Sequence, residues 1–156
     1  MTVVVVPTAS GSTENSDHMA TTSAKVMVNA DTIFTAVGAV TITSLWSECI
    51  TLNGATASTL QYQITPTVGT ATTISGASAS LANATAGTIV TMDGAALATA
   101  PTLSATGVGL NTTSRGTIFK PGTLTTVIGV GSTTGTWRHY VRYEPLEPGA
   151  YVIPAF

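Results

Sequence analysis

Charge is what this chain has least of. Only 8% of its 156 residues are Asp, Glu, Lys or Arg, against roughly a quarter in ordinary globular proteins. Between Cys49 and Ser114 the only charged residue is Asp93. Free monomers rely on interspersed surface charge to stay apart, so a coat of Thr, Ser, Ala and Gly suits a chain that lies against other protein. The plain alternative is a neutral, hydroxyl-rich surface that is simply wet. A net charge of −2 leaves no electrostatic footprint for nucleic acid. The single cysteine, Cys49, excludes an internal disulfide, and no Cys/His cluster has metal-ligand spacing. No apolar run approaches the roughly 18–20 residues that span a bilayer. The valine run at 3–6 follows no basic segment and is too short for the core of a signal peptide.

Low charge can also signal disorder, but disordered chains combine it with low hydrophobicity and high net charge. Here 44% of residues are hydrophobic and the mean hydropathy is +0.39. The chain is long enough for one domain with a core.

The periodicity is that of strands. The stretch 116–145 is the best specified, reading as three successive strands over 117–120, 123–130 and 136–144. Pro121-Gly122 marks a tight reversal between the first two, and the run from Gly131 to Gly135 a looser one. In the last strand Trp137, His139, Val141 and Tyr143 alternate with Arg138, Tyr140, Arg142 and Glu144, which puts the two sets on opposite faces. Upstream, 25–29, 32–37 and 39–52 carry strand patterns, the last long enough to bend near Trp46. Asn53-Gly54 is a hairpin signal toward 58–65, where Leu60, Tyr62 and Ile64 point inward. Residues 70–75, 88–92, 95–99 and 103–108 give shorter strands. The Ser/Ala/Asn passage at 76–87 reads as a loop with at most one helical turn.

Eight to ten short strands with regularly spaced turns predict an all-β, antiparallel β-sandwich or jelly-roll-like domain over 25–145. An extended N-terminal arm (1–24) and an extended C-terminal tail (146–156), broken by Pro148 and Pro154, flank it. The β-branched run Val3, Val4, Val5 and Val6 suits an added strand on a neighbouring subunit's sheet edge. The alternative is that the arm folds back on its own domain.

No constellation for catalysis stands out. His139 sits mid-strand with no nucleophile or orienting acid in a motif around it, which makes it a packed histidine. His18 lies beside Asp17 in the arm. Glu144 and Glu147 flank Pro145 and suit partnership with Arg138 or Arg142, or with arginines on a neighbour, better than a glycosidase pair. Cys49 reads as a buried thiol. The Gly-rich run at 129–135 lacks a lysine and leads into a strand, so it is no phosphate cradle. Thr-x-Thr pairs such as Thr41 and Thr43 have no period that would make an ice-matching array. The positive feature is the row Arg138, Tyr140, Arg142, with Glu144 beyond it, since Arg and Tyr combine apolar bulk with hydrogen bonding where interfaces concentrate their energy. The bland reading is an exposed cation–π row.

Several runs resemble a group of tailed-bacteriophage structural proteins. They are Ser47-Glu48-Cys49-Ile50, then Ala55-Thr56-Ala57-Ser58-Thr59-Leu60-Gln61-Tyr62, and Thr65-Pro66-Thr67-Val68-Gly69-Thr70-Ala71-Thr72-Thr73-Ile74-Ser75-Gly76. Val130-Gly131-Ser132-Thr133-Thr134-Gly135-Thr136-Trp137-Arg138-His139-Tyr140 belongs with them, as do Arg142-Tyr143 and Pro145-Leu146. The resemblance covers about residues 47–151 and leaves out the first 40. It implies a virion component with no catalytic residues and no cofactor. Within that class a capsid decoration (cement) protein is expected, made in the host cytoplasm and placed on the capsid exterior. Its partners would be the major capsid protein and copies of itself, as a homotrimer, with no membrane, nucleic acid or small-molecule substrate. A tail, baseplate or fibre-head component is the alternative, and a carbohydrate-binding adhesin module a more distant one, because aromatics are only 6% of the chain.

Overall fold

A computed structural model describes residues 18–92, 102–104 and 116–156. Their elements, in chain order, are β1 (Met19–Thr21), β2 (Lys25–Val26), β3 (Asp31–Val37), β4 (Val40–Cys49), β5 (Thr59–Pro66), β6 (Thr72–Thr73), β7 (Ile89–Thr91), β8 (Thr102–Ser104), β9 (Thr117–Phe119), β10 (Gly122–Gly129), β11 (Thr136–Pro145) and β12 (Tyr151–Pro154). No helix occurs among the described residues. Two antiparallel sheets pack face to face. One runs β1-β11-β4-β7-β8, with β2 also on β11 and β9 also on β4, and the other runs β12-β3-β10-β5-β6. The all-β sandwich read from the alternation is the observed fold.

The pairings nest. β2 pairs with β11, β3 with β10, β4 with β9, and β5 with β6. Successive strands from β2 to β5, and from β9 to β12, therefore change sheets at each step. Two expected hairpins are corrected by this. Asn53-Gly54 does not turn β4 back on β5, because the two strands lie in different sheets. Asn53 is instead buried as a staple: its Oδ1 accepts the amides of Thr134 and Gly135, and its Nδ2 donates to the Leu81 carbonyl. Pro121-Gly122 likewise carries the chain from one sheet to the other. Gly122 is required by closeness, since a Cβ there would press on the Thr65 carbonyl oxygen and lie 2.6 Å from Pro66 Cα.

Two bulges set the phase of the inward-facing residues. Between β4 and β11 the register steps from Ser44↔Arg142 to Ile42↔Tyr143, leaving Thr43 extra. Val40 and Ile42 point inward before it, and Leu45, Ser47 and Cys49 after it. The expected bend near Trp46 is thus a bulge three residues earlier, and it turns Trp46 outward. In β3 a matching step lets Ile33 and Phe34, adjacent in sequence, both be buried.

The core is filled by Trp137, Tyr62, Phe34, Phe119 and surrounding aliphatics, each large side chain contributing about 1.5–3 kcal/mol on burial. The 76–87 passage forms the expected loop, and Ser78 within it and Ser75 just before it both bind β5. Ser78 Oγ and Ser75 Oγ accept the amides of Leu60 and Tyr62, while the amides of Ser78 and Ile74 return to the carbonyls of the same two residues. Hydroxyls and irregular backbone so cover part of the β5 edge, which a bare strand would leave open to association.

The described parts of both flanks join the sheets. The end of the 1–24 arm is β1, paired on β11 through Met19↔Arg142 and Thr21↔Tyr140. The 146–156 tail is corrected from a surface strap to a strand of the sandwich: β12 pairs on β3 and buries Val152. Phe156 is then pinned, its carbonyl accepting the Ser23 amide and its ring lying under Lys25, whose ammonium also binds Asp31 at 2.8 Å. Proline at 154 is tolerated because β12 is an edge strand. The expected strand at 95–99, and most of that at 103–108, lie outside the described residues.

Candidate functional site

The alternation in β11 holds residue by residue. Trp137, His139, Val141 and Tyr143 are buried; Arg138 and Tyr140 are half-buried, and Arg142 and Glu144 exposed, on the outer face of the larger sheet. Register then decides what stands beside them. Arg138 lies opposite Glu48, Tyr140 opposite Trp46, Arg142 opposite Ser44 and Glu144 opposite Thr41. The predicted row is therefore half of a two-strand patch, and reading the sequence missed Trp46 and Glu48. The missed signal was the phase step at Thr43, after which Ser44, Trp46 and Glu48 share the outward side.

Trp46 and Tyr140 stack with centroids 5.0 Å apart and planes 5° from parallel, a separation close to the strand spacing. One face of each ring is thereby covered by the other. The Tyr140 hydroxyl donates to Glu48 Oε2 at 2.6 Å. Partial burial, foremost, and this bond to a carboxylate push the Tyr140 pKa up, while Arg138 pulls the other way. The phenol stays a neutral donor, and the side chains of the patch are held before any partner arrives.

Glu147, expected beside an arginine, instead accepts the Ala39 amide at the β3–β4 turn. His18 is exposed, its ring 5.6 Å from that of Tyr143. Val3, Val4, Val5 and Val6 lie outside the described residues.

Beneath the patch runs a buried polar chain. Ser47 Oγ lies 2.6 Å from His139 Nδ1 and 2.8 Å from the Tyr62 hydroxyl, bridging the two sheets. The spacing is that of a nucleophile and base, but Ser47 is fully buried and His139 only 1% exposed. A phenol rather than a carboxylate ends the chain. Burial pushes the His139 pKa down to about 3 and the Tyr62 pKa up, so both are neutral near pH 7. This chain is a core polar network of the kind that fixes register when fully satisfied. Cys49 is a buried thiol, as expected, its pKa raised chiefly by burial. Among the described residues no group of three or more His, Cys, Asp or Glu side chains is placed to hold a metal.

No family model, no curated protein and no solved structure matches the chain.

Proposed function

We propose that this chain is a non-enzymatic bacteriophage virion protein, a capsid decoration (cement) protein whose outer sheet face docks on the assembled shell. One observation carries the reading. Tyr140, at the centre of the Arg138–Tyr140–Arg142 row, is stacked on Trp46 and hydrogen-bonded to Glu48, a prearranged centre for a patch of the residue types that anchor interfaces. The resemblance of 47–151 to tailed-phage structural proteins supplies the context. The nested strand order supports the jelly-roll reading, and the scarcity of charge suits a protein surrounded by others. The mechanism is mass action: a protein that binds only the closed shell stabilises it against internal pressure, and several weak contacts per oligomer add through avidity.

The test is attachment. Arg138→Ala with Arg142→Ala should reduce occupancy on DNA-filled heads at least tenfold and lower their thermal stability, while the isolated variant melts as the parent does. Unchanged occupancy would reject the patch as the docking face. Retention of the wild-type domain on glycan arrays with no binding to heads would favour the adhesin alternative.

A further inference from the structure

A second surface borders the patch: Ile118 of β9 pairs with Thr41 of β4, which pairs with Glu144 of β11. A groove of about 450 Å³ opens on the flank of the sandwich where β6 and β9 lie. Ile64, Pro66, Ile74, Val68 and Ile118 line it, with Lys120 also on its wall. Val68 is 86% and Ile118 66% exposed, side chains worth about 1.5–3 kcal/mol each when covered. Among the described residues β9 pairs only with β4 and β6 only with β5, so both present an edge on which an extended segment can add as a strand.

The chain's own N-terminal sequence fits that groove in chemistry and reach. Residues 3–6 are four consecutive valines closed by Pro7, a β-branched run with high strand preference and a terminator. The arm enters the fold at the matching level. The Tyr143 amide donates to the His18 carbonyl, and Tyr143 lies opposite Ile42, which lies opposite Thr117 of β9. From β1 across β11 and β4 to β9 is three strand spacings, and a strand added beyond β9 makes four, about 19 Å. Eleven residues, Pro7 to Asp17, link the valines to His18, and a flexible chain of that length spans about 18 Å root-mean-square, near the match at which effective concentration peaks. That connecting stretch also carries Glu14 and Asp17, opposite in charge to Lys120.

We propose that the valine segment at 3–6 docks in the β6/β9 groove of its own chain as an added strand, covering Ile118 and Val68. This goes beyond the docking-face reading above and replaces, for these valines, the expected contact with a neighbouring subunit.

The test is disulfide trapping in the full-length chain, with buried Cys49 left in place. Val4→Cys/Ile118→Cys and Val5→Cys/Ile118→Cys sample both strand faces, and Val4→Cys/Arg138→Cys, on β11 and outside the groove lining, is the control. On mild oxidation one of the two groove pairs should cross-link at least tenfold faster than the control. Rates equal to the control for both pairs would overturn the proposal. Hydrogen exchange supplies an independent readout: amides of residues 3–6 should be protected, and Ile118→Asp should abolish that protection. Random-coil exchange in the parent, or protection indifferent to Ile118→Asp, would also overturn it. The cross-link should form within one chain; a cross-link found only between chains would overturn docking of the arm on its own domain. Neither result bears on whether the arginine patch docks on heads.

Discussion

His139 makes the fold sensitive to mild acid, by an amount the structure sets. Its ring is enclosed by Ser47, which bridges it to Tyr62, and by the Phe156 ring edge-on at 6.4 Å; Thr22 Oγ1 accepts its backbone amide. Burial lowers its pKa from 6.5 to about 3. A histidine depressed in the folded state favours folding fully above its unfolded pKa. As pH falls below 6.5 the unfolded chain takes up a proton that the folded chain refuses, and stability drains until about pH 3. At 1.36 kcal/mol per pH unit the whole window is worth about 5 kcal/mol, and the loss from pH 7 to pH 5 is about 2 kcal/mol. The assay is urea denaturation at both pH values for the parent, His139→Asn and Ser47→Ala. His139→Asn should be less stable at pH 7 yet lose about 2 kcal/mol less than the parent on going to pH 5. Ser47→Ala keeps the buried ring and should keep the steep pH dependence. If the parent and His139→Asn lose the same amount, the idea that a buried neutral imidazole governs acid stability is wrong.

Asn53→Ala would strand the Thr134 and Gly135 amides and the Leu81 carbonyl, costing about 3 kcal/mol and lowering the melting temperature by roughly 6–12 °C, as calorimetry would show. Gly122→Ala pushes a methyl into the β5 backbone and should destabilise by about 1–3 kcal/mol, read as a lower urea midpoint with unchanged slope. Tyr140→Phe removes the bond to Glu48 but keeps the stack, so stability should move by no more than about 1 kcal/mol while occupancy on heads falls. A Tyr140→Phe variant that binds heads as the parent does would show that bracing of the patch is irrelevant to docking.

The inward and outward faces of β5 and β11 were legible in the sequence. Leu60, Tyr62 and Ile64, and Trp137, His139, Val141 and Tyr143, are buried as their alternation says, because a strand repeats every two residues and one of its faces must leave water. The outward row Arg138, Tyr140, Arg142 follows from the same rule. Turn signals were less reliable guides. Asn53-Gly54 and Pro121-Gly122 announce a change of direction, but a tight turn within one sheet and a crossing between sheets use the same residues locally. Which strand comes next in space depends on contacts far along the chain, such as Asn53 reaching Thr134 and Gly122 lying against Thr65.

By itself the sequence determined that this chain belongs to the all-β class, which side of its clearest strands is dry, and that charge is scarce along it. Only the tertiary structure decided that Trp46 and Glu48 stand beside Tyr140, that Ser47 joins His139 to Tyr62, and that the C-terminal residues complete a sheet. Periodicity is carried by each strand alone. Register is a property of two strands at once, and here bulges at Thr43 and Ile33 and sheet-to-sheet crossings set it, with no local pattern able to encode the outcome.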